Sequence, residues 1–270
     1  MVKDKVNTIL IAFLILGISL LLYPSIADYW NASRSTKVVE EYQEGVKSSS
    51  KELLEREYKK AVTYNKELLS RENSQEHIKS MEQYKNILKL GGSDVMATVY
   101  IPSINVRLPV YHGTDENVLT SGLGHIEWTS LPVGGKGTHA AITGHRGLVS
   151  ARLFTDIDQL EIGDVFKVYV LDKELDYKVD YITVVEPHET KDLLIDKNKD
   201  YMTLVTCTPY GINTHRLLVR GERIDGIEDI SYLSSEAVRI KPLIIAAIMI
   251  VPASIIYAFI ILSVNKRSRD

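Results

Sequence analysis

Hydrophobic positions along the chain follow four successive regimes. From Ile9 to Tyr23 every residue is apolar except Gly17 and Ser19. Between Ser35 and Leu90 there is no proline, and Val39, Tyr42, Val46, Leu53, Leu54, Tyr58, Ala61, Val62, Leu68 and Leu69 recur among charged residues at spacings near three and four. That period predicts two or three amphipathic helices. Ser50 caps one of them, and Glu52 falls in its first turn. At Asp94 the period drops to two. The runs "VMATVYIP", "VRLPVYHG", "THAAITGH", "DVFKVYVLDKELDYKVDYITVVE", "YMTLVTC" and "HRLLVRGER" are rich in Val, Ile, Thr and Tyr and are punctuated by Gly, Pro, Asn or Asp. They read as strands, the long fourth run as a hairpin turning at about Asp172 to Glu174. Seven or eight strands in roughly 130 residues, with few helical crossovers, predict a mainly β fold, a closed barrel or a sandwich rather than a parallel sheet. "SARLFTDIDQL" is the main exception and reads as a short helix. In the last regime, Leu243 to Val264, no residue is charged, and its length suits a hydrocarbon core of ~30 Å.

Charge adds orientation to the two apolar ends. Lys3 and Lys5 precede the first run, and Lys266, Arg267 and Arg269 follow the last, which places both termini in the cytoplasm. The first run reads as an uncleaved anchor, with "SIA" ending at Ala27 as the alternative, a cleavage site. Either way the middle of the chain is exported. The expected organisation is an anchor or signal segment at 1–27, a helical extracytoplasmic region at 28–93, a β domain at 94–236, and a transmembrane helix with a basic tail at 237–270.

Composition removes some functions. Thirty-five acidic against thirty-two basic side chains leave a net charge of −3, which gives no electrostatic case for nucleic acid. No Gly-rich phosphate loop is present, and no cofactor is expected. The exported part holds one cysteine, Cys207. It cannot form an internal disulfide, so it is a buried hydrophobe, an intermolecular link or a nucleophile.

Cys207 closes a strand-like run, and Pro209, Tyr210 and Gly211 open a loop directly after it. A side chain at a strand end is rigidly held yet accessible. A nucleophilic thiol needs a proton acceptor, most often histidine. Among seven histidines, His145 stands out, because "HAAIT" breaks at Gly144 and leaves His145 at a strand end too. Arg216 opens the strand after the cysteine loop. Its neighbour His215 points to the opposite face. Arginine cannot serve as a general base, but it can donate to the oxyanion of a tetrahedral intermediate.

"TLVTC" ending at Cys207, "TGHRG" around His145 and "THRLLVRG" around Arg216 together resemble the sortases, membrane-anchored cysteine transpeptidases of Gram-positive bacteria. The resemblance covers most of Asp94 to Arg223 and implies a closed eight-stranded β-barrel. It also implies an active site of Cys207, His145 and Arg216, with Thr206 in a supporting role, and no metal or cofactor. "LPVYHGT", "GHIEWTSLPVGGKGTHAAITGHRGLVSARLFTDIDQL" and "TCTPYGINTHRLLVRG" look like class C, the pilus-assembling sortases, which commonly have a C-terminal membrane span. The implied reaction is attack by Cys207 on the Thr–Gly bond of an LPxTG-like sorting signal. A pilin or surface protein is then held as a thioester, and a lysine amine of another pilin resolves it. A cell-wall precursor amine is the alternative acceptor. In one respect the chain departs from the pattern. Class C enzymes usually carry an Asp-Pro-aromatic lid, but no proline lies between Pro24 and Pro102. "SRENSQEHIKSMEQYKNILKL" then reads as plain helix, and the resting site as open.

Four rival readings have weaker support. "LPVGG" at 131–135 looks superficially like a sorting signal but lies amid predicted strands. A papain-like peptidase places its cysteine at a helix start, unlike the β-character around Cys207. Metal binding through His139 and His145 lacks further ligands. A non-catalytic pilus-assembly scaffold requires the thiol to be inert.

Overall fold

The computed structural model describes residues 2–70, 84–90 and 93–224. The expected C-terminal span at 243–264, the end of the β domain beyond Ile224, and residues 71–83 of the expected plain helix lie outside the described residues. The chain divides between Tyr29 and Trp30 into two compact units. In the first, the start of helix α1 (Val2–Ser48) is long and apolar enough to cross a membrane. The second holds the rest of α1, helix α2 (Lys51–Ser70) and the β domain.

Ser50 caps α2 as the sequence predicts, its hydroxyl accepting the Leu53 N–H at 3.2 Å. The amphipathic faces lie against the barrel, so Tyr42, Val46, Leu54 and Ala61 join its core. Polar contacts fix their positions. Tyr42 donates to the Met96 carbonyl at 3.1 Å and accepts the Leu171 N–H at 2.9 Å. The Asn65 amide bonds both the N–H and the carbonyl of Leu131, at 2.8 and 3.0 Å. "LPVGG" therefore begins on a buried residue held by α2, and is part of the fold.

Eight strands form a closed barrel: β1 (Val95–Ile101), β2 (Val106–His112), β3 (Leu123–His125), β4 (Thr138–Thr143), β5 (Val165–Val170), β6 (Lys173–Val185), β7 (Asp200–Thr208) and β8 (His215–Ile224). A six-residue helix, α3 (Glu116–Ser121), links β2 to β3. Around the barrel the order is β1-β2-β3-β4-β7-β8-β6-β5. Every pairing is antiparallel except β2 with β3 and β4 with β7. The long sequence run divides into β5 and β6, turning at residues 171–172. "SARLFTDIDQL" forms only a single 3-10 turn, Ile157–Gln159, among irregular turns. Phe154 and Ile157, both fully buried, hold that segment on the core, which supplies the stability a longer helix would otherwise provide.

Two buried histidines make the fold acid-sensitive. The His125 Nε2 faces the Ser130 carbonyl at 2.8 Å and its Nδ1 faces the Tyr84 hydroxyl at 2.9 Å. His139 Nδ1 faces the Leu194 carbonyl at 2.9 Å and Nε2 the Thr203 hydroxyl at 2.7 Å. A carbonyl can only accept, so in each ring that nitrogen carries the proton and the other accepts from a hydroxyl. Burial disfavours a second proton on either ring, so both are neutral near pH 7. Burial lowers each pKa to about 4. The unfolded chain titrates near 6.5, so below that pH it binds more protons than the folded one. Stability should fall as pH drops from about 6.5 to about 4, by on the order of 2–3 kcal/mol per histidine. Urea unfolding across this range checks the expectation, and a flat midpoint would contradict it.

Candidate active site

Strand β7 lies between β4 and β8, and the candidate site is built across these three. In the antiparallel β7–β8 ladder Cys207 stands opposite Arg216, and Thr208 opposite His215. Opposed residues share a face, with Cβ atoms ~4.5–5.5 Å apart. Arg216 therefore lies on the thiol's side, and His215 points the other way. On the other flank the parallel register pairs Thr143 with Val205. The alignment continues past the end of β4, since the Gly144 N–H donates to the Val205 carbonyl at 3.1 Å and the Thr206 hydroxyl donates to the Gly144 carbonyl at 2.8 Å. Carried two residues beyond that register, the same alignment would place His145 level with Cys207. The structure thus sets Cys207 opposite Arg216, and Thr206, buried on the opposite face of β7, ties Gly144, immediately before His145, to the cysteine strand.

Glycine permits the break before His145. A Cβ on Gly144 would stand 2.6 Å from a Leu123 methyl and 3.0 Å from the Phe154 ring, so only glycine lets the chain pass so close to the core. Three residues later Gly147 takes φ +79° with the Tyr210 ring against it.

Cys207 is a free, half-buried thiol. His145 has Nε2 3.5 Å from the Glu116 carboxylate, within ion-pair range when the ring is charged but not a hydrogen bond. That nitrogen, shielded from water, has no hydrogen-bond partner among the described residues. Such orphans call for an explanation, and a nitrogen kept for proton transfer is one. Arg216 Nη1 donates only to the carbonyls of His215 and Asn213, at 3.1 and 3.4 Å. Among the described residues no carboxylate pairs with it, so its fork of donors remains open to a substrate.

Several neighbours were not assigned roles from sequence. Arg146 pairs with Asp158, donates to the Thr208 hydroxyl at 3.2 Å and lies 5.9 Å from the Tyr210 ring centroid, which joins the segment after His145 to the end of β7. It was visible only as the arginine of "GHRG". Glu116 carried no signal, because its approach depends on where α3 lies. Beside Cys207 and on its face, Ala141, Val185, Leu193, Val205 and Leu218 form an apolar cluster separate from the barrel core. His139, the other half of the supposed metal pair, has both ring nitrogens hydrogen-bonded within the protein and lies six residues before His145 along the same strand direction.

A half-buried thiol flanked by a histidine and an unpaired arginine can carry out acyl transfer. Known proteins resemble the chain in sequence and in fold. Residues 99–224 match the Sortase domain. The chain is 32% identical over 135 residues to Sortase A of Bacillus anthracis, a stretch that covers 50% of this chain and 62% of that relative, so less than two thirds of the relative's length is matched. The fold is similar to sortase C1 from Streptococcus agalactiae, with TM-score 0.68, 44% identity, and coverage of 71% of this chain and 100% of that one. It is also similar to Clostridium perfringens sortase C, solved with the C-terminal cell wall sorting motif, with TM-score 0.62, 44% identity and the same coverage.

Proposed function

Since the chain belongs to the sortase family and its structural neighbours are class C sortases, we propose that it is a membrane-anchored cysteine transpeptidase that joins pilins through a thioester at Cys207. The observation that carries the reading is the strand register that sets Cys207 opposite Arg216, with the β4 register beside it ending two residues before His145. The sorting motif belonging to the C. perfringens neighbour supports an LPxTG-like signal as the substrate here.

In this mechanism the Cys207 thiolate attacks the threonine carbonyl carbon of the signal, and Arg216 donates to the oxyanion that forms. The Thr–Gly C–N bond breaks, and His145 protonates the departing glycine amine. The pilin remains as a thioester. A lysine amine of a second pilin then attacks and gives its proton to His145, the C–S bond breaks, and an isopeptide bond is left. The apolar cluster of Ala141, Val185, Leu193, Val205 and Leu218 offers a floor for the signal's apolar side chains. Thr206 supports the site by holding Gly144 in place. In this reading 1–27 anchors the chain, 94–236 does the chemistry outside the cytoplasm, and 237–270 returns the C-terminus to the inside. Without an Asp-Pro-aromatic motif, the site rests open.

Incubating the full chain with a pilin bearing an LPxTG-like signal tests the proposal. The expected product is a ladder of pilins joined threonine to lysine, located by mass spectrometry. Attachment only to cell-wall precursor amines would make the enzyme an anchoring sortase instead. Absence of both, with slow alkylation of Cys207, would leave a scaffold. For Arg216→Lys, which keeps the charge and loses the planar fork, kcat/KM for acyl transfer should fall by about 10²-fold or more. Alkylation of Cys207 by a small reagent should change far less, because no tetrahedral oxyanion forms. A parallel loss of both would make Arg216 a thiol-tuning residue.

A further inference from the structure

The apolar cluster beside Cys207 is itself closed to solvent, since none of Ala141, Val185, Leu193, Val205 and Leu218 is more than 9% exposed. Packed on top of it are the half-buried side chains of Ile126 and Trp128. Both belong to the connection between β3 and β4, which is stapled across β4 at Ala141. The Ile126 N–H donates to the Ala141 carbonyl at 2.9 Å, and the Thr129 hydroxyl accepts the Ala141 N–H at 3.0 Å. Thr129 also closes the turn on itself, its hydroxyl and N–H both donating to the Ile126 carbonyl, at 2.7 and 3.0 Å. Trp128 is thus carried on a tight turn whose two ends are bound to one residue of the barrel.

Two tethers from residues preceding the barrel hold the same connection. Asn65 of α2 bonds both backbone groups of Leu131. The buried Tyr84 hydroxyl accepts the Gly113 N–H at 3.1 Å and donates to His125 Nδ1 at 2.9 Å, while Nε2 of that ring donates to the Ser130 carbonyl at 2.8 Å. The connection is therefore fixed at His125, Ser130 and Leu131, on both sides of Trp128. Its indole has a rigid base.

Distance gives that indole a use. An extended chain rises ~3.3 Å per residue, so in an LPxTG-like signal with its threonine at Cys207 the proline lies about 7 Å away and the leucine about 10 Å. Val205 precedes Cys207 by two residues on the same face of β7, about 7 Å, and Trp128 rests on the cluster to which Val205 belongs. The signal's apolar residues therefore meet the layer made by Trp128 and Ile126, with the cluster beneath as its support. Tryptophan supplies large, rigid contact area and is enriched among residues that dominate binding surfaces.

We propose that Trp128 is the residue that selects the leucine and proline of the sorting signal, held in position by the Asn65 and Tyr84 tethers. The assignment rests on the transpeptidase reading and deepens it by naming a specificity residue.

In the full chain held in detergent, Cys207→Ala with Trp30→Phe leaves Trp128 as the only tryptophan. A fluorescein-labelled LPxTG-like peptide is titrated in, its anisotropy reporting binding and Trp128 emission reporting contact. The two signals should follow one saturation curve. Binding with no change in Trp128 emission overturns the proposal and leaves the transpeptidase reading standing, whereas absence of binding removes both. With Cys207 intact, Trp128→Ala should raise KM about tenfold or more. Its preference for the signal over one with leucine replaced by alanine should shrink by a similar factor, with alkylation of Cys207 unchanged. Tyr84→Phe and Asn65→Ala, which keep the indole and loosen its base, should each raise KM about threefold or more with kcat retained. An unchanged leucine preference in Trp128→Ala, or tether variants that leave KM unmoved, overturns the assignment.

Discussion

Cys207→Ala should lose all measurable transpeptidation, a fall of at least ~10⁴-fold of the kind seen when a covalent nucleophile is removed, while the barrel unfolds at an unchanged urea midpoint. The thiol is half-buried at the end of β7, where removing one sulfur leaves no closed cavity. Neighbouring Thr206 keeps its bond to the Gly144 carbonyl, so the histidine segment should stay in place. The chain has no second cysteine to substitute. Ligation assays on purified variant, with unfolding followed in parallel, check both halves. Retained ligation would remove Cys207 from the chemistry, whereas a collapsed midpoint would mark it as a packing residue.

His145→Ala should lower kcat/KM by about 10²–10⁴-fold, the usual contribution of a positioned acid–base group, and His215→Ala by much less. The contrast follows from register. Carried beyond the β4–β7 ladder, the alignment would place His145 level with Cys207, but His215 stands opposite Thr208 and takes the other face of β8. His215 is exposed and bonded to the Thr214 hydroxyl at 2.9 Å, so its loss should be local. If the two alanine variants ranked in reverse, the proton carrier would have been assigned to the wrong ring.

The sequence showed the site more readily than the route that assembles it. Cys207 and Arg216 could be paired because a short loop joins β7 to β8, so hairpin register is a local property. His145 was legible as a strand end, yet its partner strand was not. The β4–β7 pairing is parallel and joins segments some sixty residues apart, which no local period encodes. Strand β3 escaped for a different reason: at three residues, Leu123–His125, it is too short to show alternation. In "SARLFTDIDQL" a helical period was expected where tertiary burial of Phe154 and Ile157 holds a single 3-10 turn. Glu116 beside His145, and Arg146 bridging Asp158, Thr208 and Tyr210, depend on three-dimensional approach and leave no mark in spacing.

The central claim is that the acyl group passes through a thioester on Cys207. Intact-mass measurement of the full chain, quenched in acid during turnover of an LPxTG-like substrate, tests it most directly. The account predicts one adduct equal to the substrate up to and including its threonine, located by peptide mapping to the segment containing Cys207 and released by hydroxylamine. An adduct on another residue, or ligation proceeding with no covalent species on Cys207, would contradict it.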